Sequence, residues 1–447
     1  MTRKEIYLGD KLLEYQDQEV SGEFVVLQNE KYYKISNFSE MPDFFMTIVS
    51  SSDHWMFLSS TGSLTAGRKD RDNALFPYYQ VDKIHAYKGT TGSKTYCLVE
   101  KDKRRYLWEP FSDESDKIYD IQRNLYKSIY GNKIVFEEIN KDLGISFRYG
   151  WYNSEKYGWI KKSFISNIGE SATRIEILDG IRNLLPYGVD YAFQTEYSNL
   201  LDAYKKCELL PESKLGLFVL SSIPVDRPEP SEALKATTVW SCGLGSDTKY
   251  LLSDRQVENF KMGKSVETEV DVRAARGAYY ISDGFDLKLN EEKEWCLVAE
   301  LNQDAVDVAN LDHFIKTTGN TDELLNADID LCTSSLIKVV SSADGLQLGN
   351  DELAYARHFS NTLYNIMRGG VFADNYKVEL SDFLLYVQQN NRNVFESFSR
   401  DLQQLPEMMN CPDLISWARE KNDSELERIA LEYLPLTFSR RHGDPSR

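Results

Sequence analysis

The feature that most constrains this chain is a switch in hydrophobic period near Asn302. Before it, short runs rich in Val, Ile, Tyr, Phe and Trp alternate with turn residues, the pattern of β-strands. After it, apolar residues recur three and four positions apart, the pattern of amphipathic helices. The two patterns occupy separate blocks instead of alternating, so the expected class is mainly β with an α-helical C-terminal part.

In the first block, Phe24-Val25-Val26-Leu27 and Tyr32-Tyr33-Lys34-Ile35 flank Gln28-Asn29-Glu30-Lys31 as a hairpin. Thr95–Val99 and Arg105–Trp108 form another around Glu100–Arg104. From Lys133 to Leu178 the spacing predicts a four-strand meander: Lys133–Glu138, Ile145–Tyr152, Trp159–Asn167 and Thr173–Leu178. Leu217–Ile223, Ala236–Ser241 and Cys296–Leu301 extend the strand count. Many strands joined by short turns predict a large sandwich of two antiparallel sheets. A helical interlude is expected from Tyr191 to Leu209, a loop from Pro224 to Pro230 and a short helix from Asp254 to Lys261.

In the second block, helices are expected at Asp304–Thr317, Thr321–Ser341 and Glu352–Met367, the last ended by Gly369-Gly370. Ser381 is the expected N-cap of Asp382–Asn390. Asn393–Leu402, Asp413–Lys421 and Asp423–Tyr433 follow. The expected domains are residues 1–300, a β domain; 301–350, a helical linker; and 351–447, a helical segment.

At 447 residues the chain is long enough for two or three domains. Its 52 basic and 70 acidic residues give a net charge of −18. That balance argues against nucleic acid or an anionic membrane as the main partner and suits a neutral ligand. No apolar run approaches the roughly 20 residues of a membrane helix. Met1-Thr2-Arg3-Lys4-Glu5 leads into mixed sequence and not a signal peptide. The six scattered cysteines, without C-x-x-C spacing, are expected to be free buried thiols in a reducing, cytoplasmic setting. The five histidines lack H-x-x-x-H spacing, so no metal site is expected, and no nucleotide loop or G-x-S-x-G elbow points to a cofactor or a serine nucleophile.

Four stretches carry candidate chemistry. Arg68–Tyr79 runs a charged loop, including Asp72 and Asn73, into an aromatic cluster. Carboxylates and guanidinium groups can bond sugar hydroxyls while rings cover the apolar face; a solvated turn with a packed aromatic end is the structural alternative. Ile175–Val189 runs a strand into a Gly- and Pro-punctuated segment, either a corner or a loop with a role. Arg357, His358, Asn361, Asn365 and Arg368 form a polar helical stripe, facing either a cleft or solvent. Finally, Ser439–Arg447 gathers Arg440, Arg441, His442, Asp444 and Arg447. Guanidinium forks bind phosphate or carboxylate and His442 can move protons, whereas a frayed tail is the plainer reading. This tail reads like a functional loop cut in mid-course, so the chain is expected to be the front part of a larger protein.

Asp72–Tyr79, Leu178–Val189, Arg357 through Gly370 and Phe438–Arg447, in this β-then-α order, resemble the cellobiose phosphorylase-like proteins, relatives of the glycoside phosphorylases. The resemblance covers essentially the whole chain. It implies a galactose-mutarotase-like β-supersandwich, a helical linker and the start of an (α/α)6 barrel. It further implies inverting chemistry, in which a barrel carboxylic acid protonates the glycosidic oxygen and inorganic phosphate attacks from the opposite face. Most of the barrel would lie beyond Arg447, so no catalytic residue can be assigned and the chain alone should be inactive. The implied partners are an oligosaccharide and inorganic phosphate, with a homodimer through the sandwich. The candidate substrate-binding residues are Asp72, Asn73, Arg440, Arg441, His442, Asp444 and Arg447. Two other readings stand beside it: a stand-alone carbohydrate-binding or mutarotase-like module using His54 or His85, and an assembly protein that dimerises through its sandwich.

Overall fold

The computed structural model describes residues 6–8, 11–13, 18–79, 81–197, 201–222, 234–343, 345–346, 350–367, 370–372, 376–433 and 436–438. The chain divides into two compact units, Met1–Ser335 and Leu336–Arg447.

The first unit is built of β1 (Tyr7–Leu8), β2 (Lys11–Leu12), β3 (Ser21–Leu27), β4 (Glu30–Ser36), β5 (Phe45–Ile48), β6 (His54–Ser59), β7 (Leu64–Arg68), β8 (Gly92–Lys101), β9 (Arg104–Trp108), β10 (Ile121–Ser128), β11 (Ile134–Asn140), β12 (Ile145–Ser154), β13 (Gly158–Asn167), β14 (Thr173–Leu184), β15 (Lys205–Leu209), β16 (Gly216–Leu220), β17 (Ala236–Cys242), β18 (Lys249–Leu251), β19 (Asp271–Arg273), β20 (Gly277–Leu287) and β21 (Glu292–Gln303), with the short helix α1 (Val257–Lys261) between β18 and β19. Eleven strands form one antiparallel sheet in the order β19-β15-β16-β17-β21-β13-β12-β11-β10-β4-β3, five form a second, β18-β20-β14-β8-β9, and β5-β6-β7 form a third. Phe136, Phe147, Trp151 and Trp295 of the first sheet share one buried core with Cys97, Val99, Ile175, Ile177 and Ile281 of the second.

Between the two large sheets lies a buried charge. The Asp179 carboxylate on β14 accepts from Lys161 Nζ at 2.5 Å, Thr95 Oγ1 at 2.6 Å, Trp295 Nε1 at 2.7 Å and Ser163 Oγ at 3.0 Å. Lys161 and Asp179 are both fully buried. Burial lowers the Lys161 pKa, and the carboxylate beside it pulls the other way. Four donors around one carboxylate are what a buried ion pair needs to offset its desolvation.

The opposite face of the eleven-stranded sheet is covered by α2 (Ala305–Thr317) and α3 (Thr321–Ser341). Leu325 and Ile329 of α3 share a core with Trp240, Val298 and Ile160, and the Phe314 ring of α2 stacks on Tyr157 at 5.6 Å. Asp304 caps α2 through a reciprocal capping box with Asp307.

The structure corrects four local expectations. Three meander segments are neighbours in the large sheet, but the fourth, β14, pairs with β8 and β20 in the other sheet. Both sheets bury strand residues on both faces, so the pattern names a strand without naming its partner. The expected helix Tyr191–Leu209 is a π turn at Phe193–Tyr197, a 3-10 turn at Leu201–Tyr204 and then β15. In β15, Lys205, Cys207 and Leu209 are buried alternately, a period of two set by pairing with β16 and β19. Asn393–Leu402 is two short helices, and Ser381 lies inside its helix and donates to Glu379 Oε1 at 2.8 Å.

The second unit contains α4 (Glu352–Met367), β22 (Gly370–Phe372), β23 (Lys377–Glu379), α5 (Leu380–Asn390), α6 (Arg392–Ser397), α7 (Ser399–Leu402), β24 (Met408–Asn410), α8 (Cys411–Glu420), α9 (Ser424–Glu432) and β25 (Leu436–Phe438). Phe383, Val387, Leu402, Leu414, Leu426 and Ile429 form its core. The Tyr433 hydroxyl donates to Asp382 at 2.5 Å and ties the end of α9 to α5.

Candidate functional site

Arg68–Tyr79 is an ordered corner of the first unit. Gly67 is required there, since a Cβ would fall 2.2 Å from the Asn73 carbonyl oxygen. The Arg68 guanidinium is bound internally: Nε and Nη2 reach Glu300 at 2.9 and 2.5 Å, and Nη1 reaches Asp53 at 3.0 Å. Asp70 Oδ1 accepts from Asn73 Nδ2 at 2.7 Å and from the Asp72 N–H at 3.1 Å. Asp72 Oδ1 accepts from the Tyr191 N–H at 3.0 Å. Asp72 is exposed and Asn73 half-buried, beside a partly open aromatic patch in which Tyr78 meets Trp55 and Tyr191 edge-on and Arg71 lies over Tyr191 at 4.6 Å. Arg440, Arg441, His442, Asp444 and Arg447 lie outside the described residues.

The polar stripe on α4 divides. Arg357 and Asn361 are exposed, whereas His358 is buried. The segment after β14 is a corner, where Gly188 adopts φ 91°. Within the strand, a Cβ on Gly180 would meet Tyr280 Cδ1 at 2.3 Å.

His54 is buried, with Nδ1 2.8 Å from Ser52 Oγ, and burial followed by the nearby Arg68 charge brings its pKa down to about 3. A neutral, enclosed imidazole of this kind is poorly suited to acid catalysis near neutrality. His85 Nδ1 lies 2.8 Å from Ser59 Oγ.

The sequence did not reveal a cleft of about 1050 Å³ in the first unit. Phe38, Phe111, Phe136 and Tyr149 supply its aromatic wall; Glu40, Asp43, Asp113, Asp116, Asp120 and Asp142 supply carboxyls, against Lys88, Lys117 and Arg123. A smaller recess of about 220 Å³ shares Gly62, Lys88, Phe111 and Tyr149 with it. Rings next to carboxyl groups, which can accept from hydroxyls, suit a neutral polyhydroxylated ligand, and the acidic excess disfavours an anion.

The wall of this cleft is held in a strained shape. Phe111 sits at φ 63°, a left-handed conformation that bulky residues rarely adopt. Its N–H donates to Glu138 Oε2 at 2.6 Å, and the same carboxylate accepts from Trp108 Nε1 at 2.7 Å and Arg123 Nε at 2.7 Å. Arg123 also donates to the Ser112 carbonyl at 2.7 Å and to Asp116 at 3.3 Å. Burial pushes the Glu138 carboxyl up, and Arg123 and the two N–H donors pull it back. Asp116 is likewise raised by burial, against the pull of Arg123. The sequence signal for this site was weak, because its residues come from separate segments between Ile6 and Tyr149.

Residues 372–435 match the family model of Glycoside hydrolase family 149 insertion domain 1. No curated protein matches the chain by sequence. Among solved structures, a bacterial glucoamylase complexed with acarbose aligns at TM-score 0.40 and 11% identity, covering 83% of this chain and 53% of that one. A protein described as a kojibiose phosphorylase from the human microbiome aligns at TM-score 0.31 and 9% identity, covering 78% and 41%. A protein described as an aldose 1-epimerase from Klebsiella pneumoniae aligns at TM-score 0.31 and 10% identity, covering 65% and 88%. The chain thus spans about half or less of the glucoamylase and phosphorylase chains, and its C-terminal unit carries a segment similar to a glycoside hydrolase insertion domain.

Proposed function

We propose that this chain is a non-catalytic, carbohydrate-holding portion of an enzyme of the glycoside phosphorylase or hydrolase kind. The observation that carries the reading is the match of residues 372–435 to a glycoside hydrolase family insertion domain. The acidic, aromatic-walled cleft supports it, because its chemistry fits a neutral oligosaccharide. In this reading residues 1–300 form a mutarotase-like supersandwich, 301–350 a linker and 351–447 the start of a barrel. Asp72 and Asn73 border a sugar-facing loop, and Arg440, Arg441, His442, Asp444 and Arg447 serve a phosphate or sugar further along the same protein. Cytoplasmic location and a sandwich-mediated homodimer belong to the same proposal.

Calorimetry against a panel of neutral gluco-oligosaccharides, with glucose 1-phosphate as the anionic comparison, tests the cleft. The expected result is oligosaccharide binding that Asp116→Asn weakens by about tenfold, the loss of one charged hydrogen bond. Oligosaccharide binding that Asp116→Asn leaves unchanged would move the site elsewhere. Phosphate release should be absent for this chain and present for a version extended past Arg447; release by the chain alone would overturn its non-catalytic role.

A further inference from the structure

Cys242 and Cys296 stand directly opposite each other on the antiparallel neighbours β17 and β21. The first turn of α3 lies over this pair and supplies Asp322. One sulfur from each cysteine and a carboxylate oxygen of Asp322 all lie within 4.8 Å of one another. Cys296 is buried, Cys242 half-buried and Asp322 exposed, so the group opens to solvent on its carboxylate side. We infer that Cys242, Cys296 and Asp322 form a binding site for a thiophilic divalent cation, zinc above all.

The donor set fits the metal. Zinc takes thiolate and carboxylate ligands in a tetrahedron, with Zn–S bonds of about 2.3 Å, which places two sulfurs about 3.8 Å apart. Side-chain rotation supplies the remaining contraction, because both sulfurs project from fixed positions on paired strands while Asp322 sits at a helix end. Three protein ligands leave the fourth position to water.

The charges also fit. Two thiolates and a carboxylate around a divalent ion leave one negative charge. Lys162 is the register partner of Cys296 on the other side, from β13, and its ammonium bonds Asn326 on α3. Both sulfurs would enter as thiolates, the form in which cysteine ligates zinc. The site would fasten α3 to the large sheet, where Leu325 and Ile329 already pack.

The test uses the full chain, reduced and stripped with chelator, then titrated with cobalt and zinc. One cobalt per chain is expected, with a thiolate-to-cobalt charge-transfer band and displacement by zinc. Cys242→Ser should abolish the band and weaken zinc binding by more than about 100-fold, and Asp322→Asn should weaken it by about tenfold. Cys207→Ser, a buried thiol elsewhere in the same sheet, should leave the band unchanged. Should Cys242→Ser fail to fold, zinc-edge X-ray absorption on the unaltered chain decides the point: two sulfur scatterers are expected. The assignment falls if freshly reduced protein binds no cobalt, if the metal's shell lacks sulfur, or if the two thiols join as a disulfide in preference to taking metal.

Discussion

The Phe111 N–H donates to the Glu138 carboxylate at 2.6 Å while Phe111 itself sits at φ 63°. A left-handed conformation for an aromatic residue costs about 1–3 kcal/mol and persists only where neighbours over-determine it. Here a buried carboxylate with three donors, one of them Arg123, fixes the backbone, and the strained ring forms part of the cleft wall. Glu138→Gln should therefore take the close counter-charge from the buried Arg123 guanidinium, leaving it the longer Asp116 contact at 3.3 Å, and destabilise the first unit by about 3 kcal/mol. Urea unfolding reads this directly, and a midpoint unchanged from the parent would remove Glu138 from the role.

Replacing Phe111 gives an inverted ranking. In most positions glycine is less stable than alanine, because the unfolded chain gains freedom. At φ 63° alanine keeps the strain and glycine does not. Phe111→Gly should be more stable than Phe111→Ala by about 1 kcal/mol, while both weaken oligosaccharide binding. Thermal unfolding of the two variants settles the order.

His54 makes stability depend on acid. Its pKa is about 3 in the folded chain and about 6.5 when unfolded. Between those values the unfolded state binds the extra proton, so stability rises with pH and falls on acidification from about 6.5 toward 3. The slope from this group is about 1.4 kcal/mol per pH unit. Plotting unfolding free energy against pH should show a shallower dependence in His54→Gln than in the parent; parallel curves would count against a buried neutral imidazole.

Asp179 joins the two large sheets through Lys161, Ser163 and Trp295 on one and Thr95 on the other. Asp179→Asn leaves a buried ammonium without its counter-charge, and a loss of about 3–5 kcal/mol is expected. Pairing it with Lys161→Met removes the orphaned charge and should restore part of the loss. A double variant no better than the single would show that the ammonium is not the source of the penalty.

Gly180 lies on the same strand against the Tyr280 ring. Gly180→Ala should cost about 1–3 kcal/mol by overpacking, with β14 displaced from β20. Hydrogen exchange at Ile177–Ile181 should rise in the variant.

Much of the architecture was legible in local sequence. The helices Thr321–Ser341 and Glu352–Met367 have the bounds their apolar spacing predicts, and Asp304 and Asp423 cap helices as short polar residues do. The hairpin of β8 and β9 turns at Asp102-Lys103, both at positive φ, within the polar stretch expected for it. Less legible were β15, where the charged Lys205 occupies a buried position of the period of two, and the assignment of β14 to a sheet. The charged loop at Arg68–Asn73 was visible as a motif, but its internal bonding was not, since Glu300 lies 232 residues away.

The sequence by itself determined the β and α blocks, most turns and the helix limits, because period, capping and backbone permissiveness act over a few residues. Only the tertiary structure decided which strands pair, that Asp179 is a buried hub, that Phe111 is strained against Glu138 and that Cys242, Cys296 and Asp322 meet. Those are relations between residues far apart in the chain. They are set by which faces exclude water together and by where a buried charge finds its partner, and neither leaves a local pattern.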